Sequence, residues 1–288
     1  MKNNLTITKA SGEKSVFSEK KLRNSLQRAG ATHNQIGLII DEINKKLYEG
    51  ISTKKIYQWA FALLRENSRH LAARYHLKRG IMELGPSGFS FEKFVGEILK
   101  YQGYTITVGE VVSGKCVTHE IDVLAKKNQH QFLIECKYHN QPGTFSDVKV
   151  PLYIQSRFLD VLEEWKKKDP AKTYQGWVVT NTRFSNDAIQ YGTCAGLHLM
   201  GWDYPVKGSL KDQIDELGLY PITCLTSLTR VEKQRLLDKN IVLCIDLKKN
   251  ESLLADIISK RARIAVILKE VEQLCQHLTT NENGERKN

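Results

Sequence analysis

The sequence predicts an α/β chain in three parts: a β-hairpin with helices over residues 1–85, a mixed sheet flanked by helices over 86–205, and a mostly helical region over 206–288. Three observations lead there. Helical periodicity recurs four times before a Gly85-Pro86-Ser87-Gly88 break, a cluster that ends regular structure. Beyond the break the pattern runs α-β-β-β-α-β-α-β, an order that builds one sheet with helices packed on it. Within that stretch Gly176–Thr180 (GWVVT) is a short apolar run, as expected of a central strand with parallel neighbours.

Each element has its own signal. Leu5–Thr8 and Lys14–Phe17 read as short strands around a turn at Ala10–Gly12. Ser18 caps a helix that ends at Gly30, and Ile36, Ile39, Ile40, Ile43 and Leu47 mark a second helix over Thr32–Tyr48. Gly50 ends that helix, Ser52 or Thr53 caps a third to about Glu66, and a fourth runs over Arg69–Leu84. After the break, Ser90–Tyr101 buries Phe91, Phe94, Val95, Ile98 and Leu99. Strands follow at Tyr104–Val111, Glu120–Ala125 and Gln131–Lys137, then a helix over Val148–Lys167. Ser185–Gly192 is helical and Leu197–Met200 is a strand. In the tail, Ser209–Leu217, Ser227–Lys239 and Glu251–Leu278 are the candidate helices, the last spaced either as a coiled-coil seam or as a core-facing helix. A terminal strand is expected near residue 247, and the polar residues from Thr279 are expected to be disordered. Arg230, Lys233 and Arg235 are candidates either for DNA contact or for packing.

Composition excludes several classes. No run of about 18 apolar residues appears, so no membrane span is expected. The N-terminus shows no secretion signal, which predicts a cytoplasmic protein. Six scattered cysteines without a CxxC pair argue against a disulfide framework and a zinc ribbon. The net charge of +11 is uneven. Residues 1–85 carry 16 Lys and Arg against 7 Asp and Glu, 86–205 carry 13 against 13, and 206–288 carry 14 against 12. The positive excess that phosphate contacts require therefore lies in the N-terminal third. Either that part binds a polyanion or it adds charge to a groove shared in a homo-oligomer.

The densest chemistry is in Thr118–Lys137, THEIDVLAKKNQHQFLIECK. Asp122 and Glu135 are thirteen residues apart around a polar turn at Lys126–Gln131, so a hairpin brings both carboxylates to one sheet edge. Lys137 stands two residues after Glu135 and shares its strand face. Two carboxylates suffice for Mg²⁺ (or Mn²⁺), which keeps several waters, and a lysine orients the attacking water or neutralises a phosphate. Asp122, Glu135 and the carbonyl of Cys136 are the expected ligands. His119 and His139 flank the motif, and oxygen-only coordination needs neither.

The D-x₁₂-E-x-K pattern resembles the PD-(D/E)xK nuclease superfamily. GFSFEKFVGEILKYQGY (88–104), HEIDVL (119–124), FLIECKYHN (132–140) and WVVTNTRFSNDAIQYG (177–192) together resemble Mrr-like restriction endonucleases over residues 86–205. The resemblance implies a metal-dependent DNA endonuclease in which Glu92 on the first helix assists the metal and Gln155 lines the site. Glu97 lies off the motif. Glu120 replaces the family's usual glycine, as a second metal ligand or as a solvated edge residue.

The N-terminal segments ITKASGEKSVFSEKKLRNSLQRAG (7–30), EGISTKKIYQWA (49–60) and HLAARYHLKRGI (70–81) resemble the ATP-cone, a regulatory module of ribonucleotide reductases. The resemblance implies ATP or dATP binding through Lys9, Gly12, Lys21, Thr53 and Lys78, with oligomeric state as the output. Ala10 and Ser11 depart from the family's Arg and Asp. No Walker A sequence is present, so nucleotide is expected to be sensed rather than hydrolysed. The expected role is restriction, phage defence or repair. The alternative is a nucleotide-sensing DNA-binding regulator with an inactive nuclease fold.

Overall fold

The computed structural model describes residues 5–276, apart from 10 and 142. The described residues form two compact units, one of 5–80, 220–235 and 244–276, the other of 81–219 and 236–243. The region 206–288 divides between them.

The first unit opens with strands β1 (Thr6–Thr8) and β2 (Lys14–Val16), paired antiparallel. Helices α1 (Glu19–Arg28), α2 (His33–Lys46) and α3 (Thr53–Asn67) follow, each started by a hydroxyl that accepts a backbone N–H: Ser18, Thr32 and Ser52. Thr8 pairs with Ser52 through a single parallel bridge, and its N–H donates to the Ile51 carbonyl at 3.0 Å. The hairpin is thus fastened to the start of α3. Leu26, Ile43, Ile51 and Leu64 lie at the centre of this unit's core. The fourth expected helix is broken at His76 into α4 (Arg69–Tyr75) and α5 (Leu77–Met82).

The second unit is built on a five-stranded sheet. Helix α6 (Phe89–Tyr101) precedes β3 (Thr105–Ser113), β4 (Thr118–Lys127) and β5 (His130–Lys137), an antiparallel meander. The turn between β4 and β5 is two residues, with Asn128 at φ 54°, a conformation asparagine tolerates better than most residues. After β6 (Phe145–Ser146) and α7 (Lys149–Lys168) the chain returns as β7 (Thr173–Thr180), parallel to β5. Then come β8 (Arg183–Phe184), α8 (Asn186–Cys194) and β9 (His198–Met200), which lies parallel to β7. The sheet order is β3-β4-β5-β7-β9, so GWVVT does sit between two parallel neighbours. A separate parallel pair, β6 with β8, is two residues long, too short for periodicity to reveal.

Glycines set how closely the helices approach. A Cβ on Gly96 of α6 would lie 3.3 Å from Ile106 and Val108, and one on Gly176 of β7 would lie 2.8 Å from Leu197 and 3.0 Å from Phe158 of α7. Helix α9 (Leu210–Leu217) begins at a Ser209–Asp212 capping box.

The remaining elements are α10 (Arg230–Asp238), α11 (Glu251–Ile257) and α12 (Arg261–Leu274). Helix α10 starts three residues later than expected. The N–H groups of Thr226 and Ser227 donate to Glu270 of α12, at 2.7 and 2.9 Å, and hold that stretch in a non-helical path. The expected long final helix is interrupted at Ile258, which is extended (φ −112°, ψ 103°), so no continuous heptad seam exists over its described part. Its last expected residues lie outside the described ones. A 3₁₀ turn over Ile245–Lys248 replaces the expected strand. Lys233 donates to the Thr223 carbonyl at 2.6 Å, a packing role within the first unit. Among the described residues no helix is long and apolar enough to cross a membrane.

Candidate active site

The β4–β5 ladder ends at Val123↔Ile134, and Asp122 and Glu135 are the next residues beyond it on the two strands. The backbone N–H of Cys136 donates to Asp122 Oδ2 at 2.7 Å. Glu135 is buried, at 7% exposure. Each carboxyl group is close enough to bear on the ionisation of the other. Burial, then the neighbouring Asp122, push Glu135 up to about 8, and burial also raises Asp122.

Glu92 joins from the first turn of α6. Burial, followed by the charges of Asp122 and Glu120, pushes its carboxyl up to about 7. Glu120 is exposed on β4, with its carboxylate near Gly109 of β3. Lys137 ends β5 in an exposed position, and its carbonyl accepts from the Thr180 hydroxyl at 2.7 Å. Gln155 of α7 has a buried amide oxygen with no hydrogen-bond partner among the described residues. The backbone N–H of Cys136 is engaged by Asp122, and burial holds its thiol well above the ordinary range.

Among the described residues no three His, Cys, Asp or Glu side chains form a closed metal cage. The donor set is instead Asp122 and Glu135 just past the end of the ladder, with Glu92 and Glu120 within electrostatic reach of Asp122. Burial and the neighbouring carboxylates raise Glu135, Glu92 and Asp122, so added positive charge would favour their ionised forms. Such charge, met by oxygen donors alone, fits a hard divalent cation that keeps its own waters. It does not fit zinc, which favours four protein ligands including nitrogen or sulfur.

Several polar residues that the spacing did not single out complete the arrangement. Arg157 of α7 places Nη1 2.6 Å from Glu135 Oε1. The approach is an ion pair without hydrogen-bond alignment. Arg157 Nη2 donates to the Glu120 carbonyl, and Nε points to His119 Nδ1 at 3.5 Å. His119 Nε2 bonds Asp160 Oδ2 at 2.8 Å, and Asp160 also accepts the N–H of Cys116 at 2.8 Å. At the end of β5, buried Asn181 accepts from His139 N–H at 2.8 Å and donates to its carbonyl at 2.7 Å. The only sequence signal for Arg157 was a cation bordering the buried stripe of Ile154, Phe158 and Val161. Both flanking histidines are held by protein partners, His119 by Asp160 and His139 by Ser146 at 3.1 Å.

The expected nucleotide residues lie in the first unit. Lys9 follows β1 and pairs with Glu13 at 3.0 Å, and Gly12 turns the hairpin at φ 83°. The Thr8–Ser52 bridge sets Lys9 beside the start of α3, where Thr53 is the first residue. Lys21 lies in the first turn of α1 and Lys78 is exposed on α5. Ala10 lies outside the described residues.

A family model described as restriction endonuclease, of the Mrr catalytic type, matches residues 85–203, and one described as AF1548-like, C-terminal, matches 220–275. A protein of Archaeoglobus fulgidus is 36% identical over 155 residues, covering 53% of this chain and 82% of the relative. The crystal structure of AF1548, a protein of unknown function, is similar with a TM-score of 0.54 and 31% identity, covering 66% of this chain and 99% of that one.

Proposed function

The chain belongs to the family that joins an Mrr-type restriction endonuclease domain to an AF1548-like C-terminal domain, and from that premise we propose that it is a Mg²⁺-dependent DNA endonuclease hydrolysing phosphodiester bonds. The observation that carries the reading is the placement of Asp122 and Glu135 just past the end of the β4–β5 ladder, with Lys137 two residues beyond Glu135. Asp122 and Glu135 would hold the cation with the Cys136 carbonyl, and Glu92 and Glu120 would add charge around it. When bound, Mg²⁺ or Mn²⁺ supplies water activation and charge neutralisation at the phosphate.

The residues do the rest. Lys137 offers a cation at the exposed end of β5, where it orients the water or meets developing charge on the phosphoryl oxygens. Gln155 offers an amide to the same region. Asn181 fixes the backbone after Lys137 through both polar groups of His139. The nuclease part, residues 86–205, has no net charge, so DNA affinity requires positive charge from elsewhere. The N-terminal excess, brought by a homo-oligomer in the cytoplasm, is our proposed source.

We further propose that the N-terminal hairpin and α3 bind ATP or dATP through Lys9, Gly12, Lys21, Thr53 and Lys78. The adjacency of Lys9 to the amide end of α3 supports this, because helix N-termini favour phosphate. The exposed Lys9–Glu13 pair is weak enough for a phosphate to replace it.

Plasmid nicking with Mg²⁺, with EDTA and with Asp122→Asn tests the nuclease. Metal-dependent nicking by the wild type alone is expected, and equal cutting by folded Asp122→Asn refutes the assignment. Light scattering after size-exclusion chromatography, with and without ATP and dATP, tests the regulation.

A further inference from the structure

Both carboxylates at the centre of the site are held from behind. Asp122 Oδ2 accepts the Cys136 N–H at 2.7 Å, and Glu135 Oε1 is met by Arg157 Nη1 at 2.6 Å. The first is a backbone contact fixed by the ladder. The second depends on one long side chain, so what fixes that side chain matters. Arg157 is only 15% exposed at its side chain, and each part of its guanidinium is engaged. Nη2 donates to the Glu120 carbonyl, Nε to His119 Nδ1 at 3.5 Å, and the exposed Tyr153 ring lies 5.6 Å from its central carbon.

His119 accepts from Arg157 on Nδ1 because its other nitrogen carries the hydrogen. Nε2–H donates to Asp160 at 2.8 Å, which selects that tautomer. Asp160 is itself held by the N–H groups of Cys116 and Val117 at 2.8 and 3.4 Å, in the β3–β4 turn. Gly114 is needed there, since a Cβ would fall 2.0 Å from Asp160 Oδ2. A continuous chain of contacts therefore runs from that turn through Asp160, His119 and Arg157 to Glu135.

We propose that Arg157, held by His119 and Asp160, is a positioning residue that pins one oxygen of Glu135 and leaves the other for a divalent cation shared with Asp122. This inference rests on the metal-dependent reading of the site. The alternative, that Arg157 is a plug the metal must displace, is disfavoured by its anchoring. Leaving Glu135 would also break contacts to His119, Glu120 and Tyr153. Arginine suits the task because its fork hydrogen-bonds His119 and the Glu120 carbonyl while its charge faces Glu135, which a lysine ammonium does not reproduce.

The test is Mn²⁺ binding to the full chain without DNA, followed by the loss of the free-ion paramagnetic resonance signal, so that cleavage is not the readout. Arg157→Gln is expected to weaken Mn²⁺ binding about 10–100-fold, as loss of a group that orients a ligand does. Arg157→Lys should recover part of that loss, and Asp160→Asn should weaken binding less than Arg157→Gln. Unchanged or tighter binding by folded Arg157→Gln overturns the proposal, as does a lowered melting temperature with unchanged affinity. If Arg157→Gln does not fold, wild-type affinity in both Arg157→Lys and Asp160→Asn overturns it. Absence of Mn²⁺ binding by the wild type instead brings down the metal-dependent reading itself.

Discussion

Glu135 holds a proton at a pH where an ordinary glutamate has lost it, and this links stability to pH with a definite sign. Its carboxyl rises from an unfolded value near 4.5 to about 8 in the fold, through burial and the adjacent Asp122. Between these values the folded protein binds more protons than the unfolded chain, so stability must fall as pH rises. Below about pH 4.5 both states are protonated and the group contributes nothing. Above about pH 8 both are ionised and the destabilisation is complete. Integrated from pH 5 to 9, the Glu135 contribution is about 4 kcal/mol of lost stability without metal. Asp122 and Glu92 are raised as well and steepen the same slope.

The comparison that isolates Glu135 is the slope of wild type against Glu135→Gln. Absolute stabilities are less informative, because the glutamine leaves Arg157 without its carboxylate. Urea melts in EDTA at pH 5, 6, 7, 8 and 9 are suitable, followed by tryptophan fluorescence, since Trp165, Trp177 and Trp202 all lie in the nuclease unit. The expected result is a downward slope that Glu135→Gln reduces by about 4 kcal/mol over the range. A flat or rising wild-type profile, or equal slopes in the two proteins, would refute the reasoning. Adding Mg²⁺ should restore most stability at pH 8 and little at pH 5, because ligation requires the deprotonated forms.

Asn181→Ala removes both partners of the His139 backbone and should cost about 2–4 kcal/mol in a chemical melt; its cleavage rate should fall with Mn²⁺ affinity intact, and a loss of metal binding would contradict that division. Lys137→Ala is expected to lower kcat by about 10²-fold or more without changing Mn²⁺ affinity, as measured by nicking rates at saturating metal. Gly176→Ala drives a Cβ to 2.8 Å from Leu197 and 3.0 Å from Phe158, and an overpacking cost of about 1–3 kcal/mol should appear in the melt. Lys9→Ala should weaken ATP binding in a calorimetric titration while leaving plasmid cleavage without nucleotide unchanged.

The local parts of this molecule were legible in its residues. Ser18 and Ser52 cap the helices they precede, as expected, because a side-chain oxygen before an apolar period leaves few alternatives; Thr32, Ser185 and Ser209, expected as first helical residues, are caps too. The β4–β5 hairpin followed from its apolar runs and the polar stretch between them, although the turn is tighter than the expected Lys126–Gln131, with Lys126 paired to Gln131 and Lys127 to His130. What spacing did not reveal depends on contacts between distant segments. Arg157 meets Glu135 across 22 positions of sequence, and a cation beside an apolar helical stripe usually marks a solvated border. The break at Ile258 was hidden because Ile257 and Ile258 continue the apolar period without a glycine or proline. The late start of α10 belongs to Glu270, whose carboxylate holds the backbone forty-odd residues upstream in place of a helical turn.

The first unit is discontinuous in sequence, and this fixes an order of completion on the ribosome. Thr223 Oγ1 donates to the Gly80 carbonyl at 2.7 Å, and Arg74 reaches the Leu274 carbonyl at 3.2 Å. These closures join the earliest-made helices to segments made about 150–200 residues later. All five strands of the nuclease sheet have left the exit tunnel by then, since β9 ends at Met200. Synthesis therefore finishes the five-stranded sheet first, and the unit proposed to bind nucleotide last. A ribosome stalled after residue 243 would carry an assembled sheet beside an N-terminal half still lacking α11 and α12.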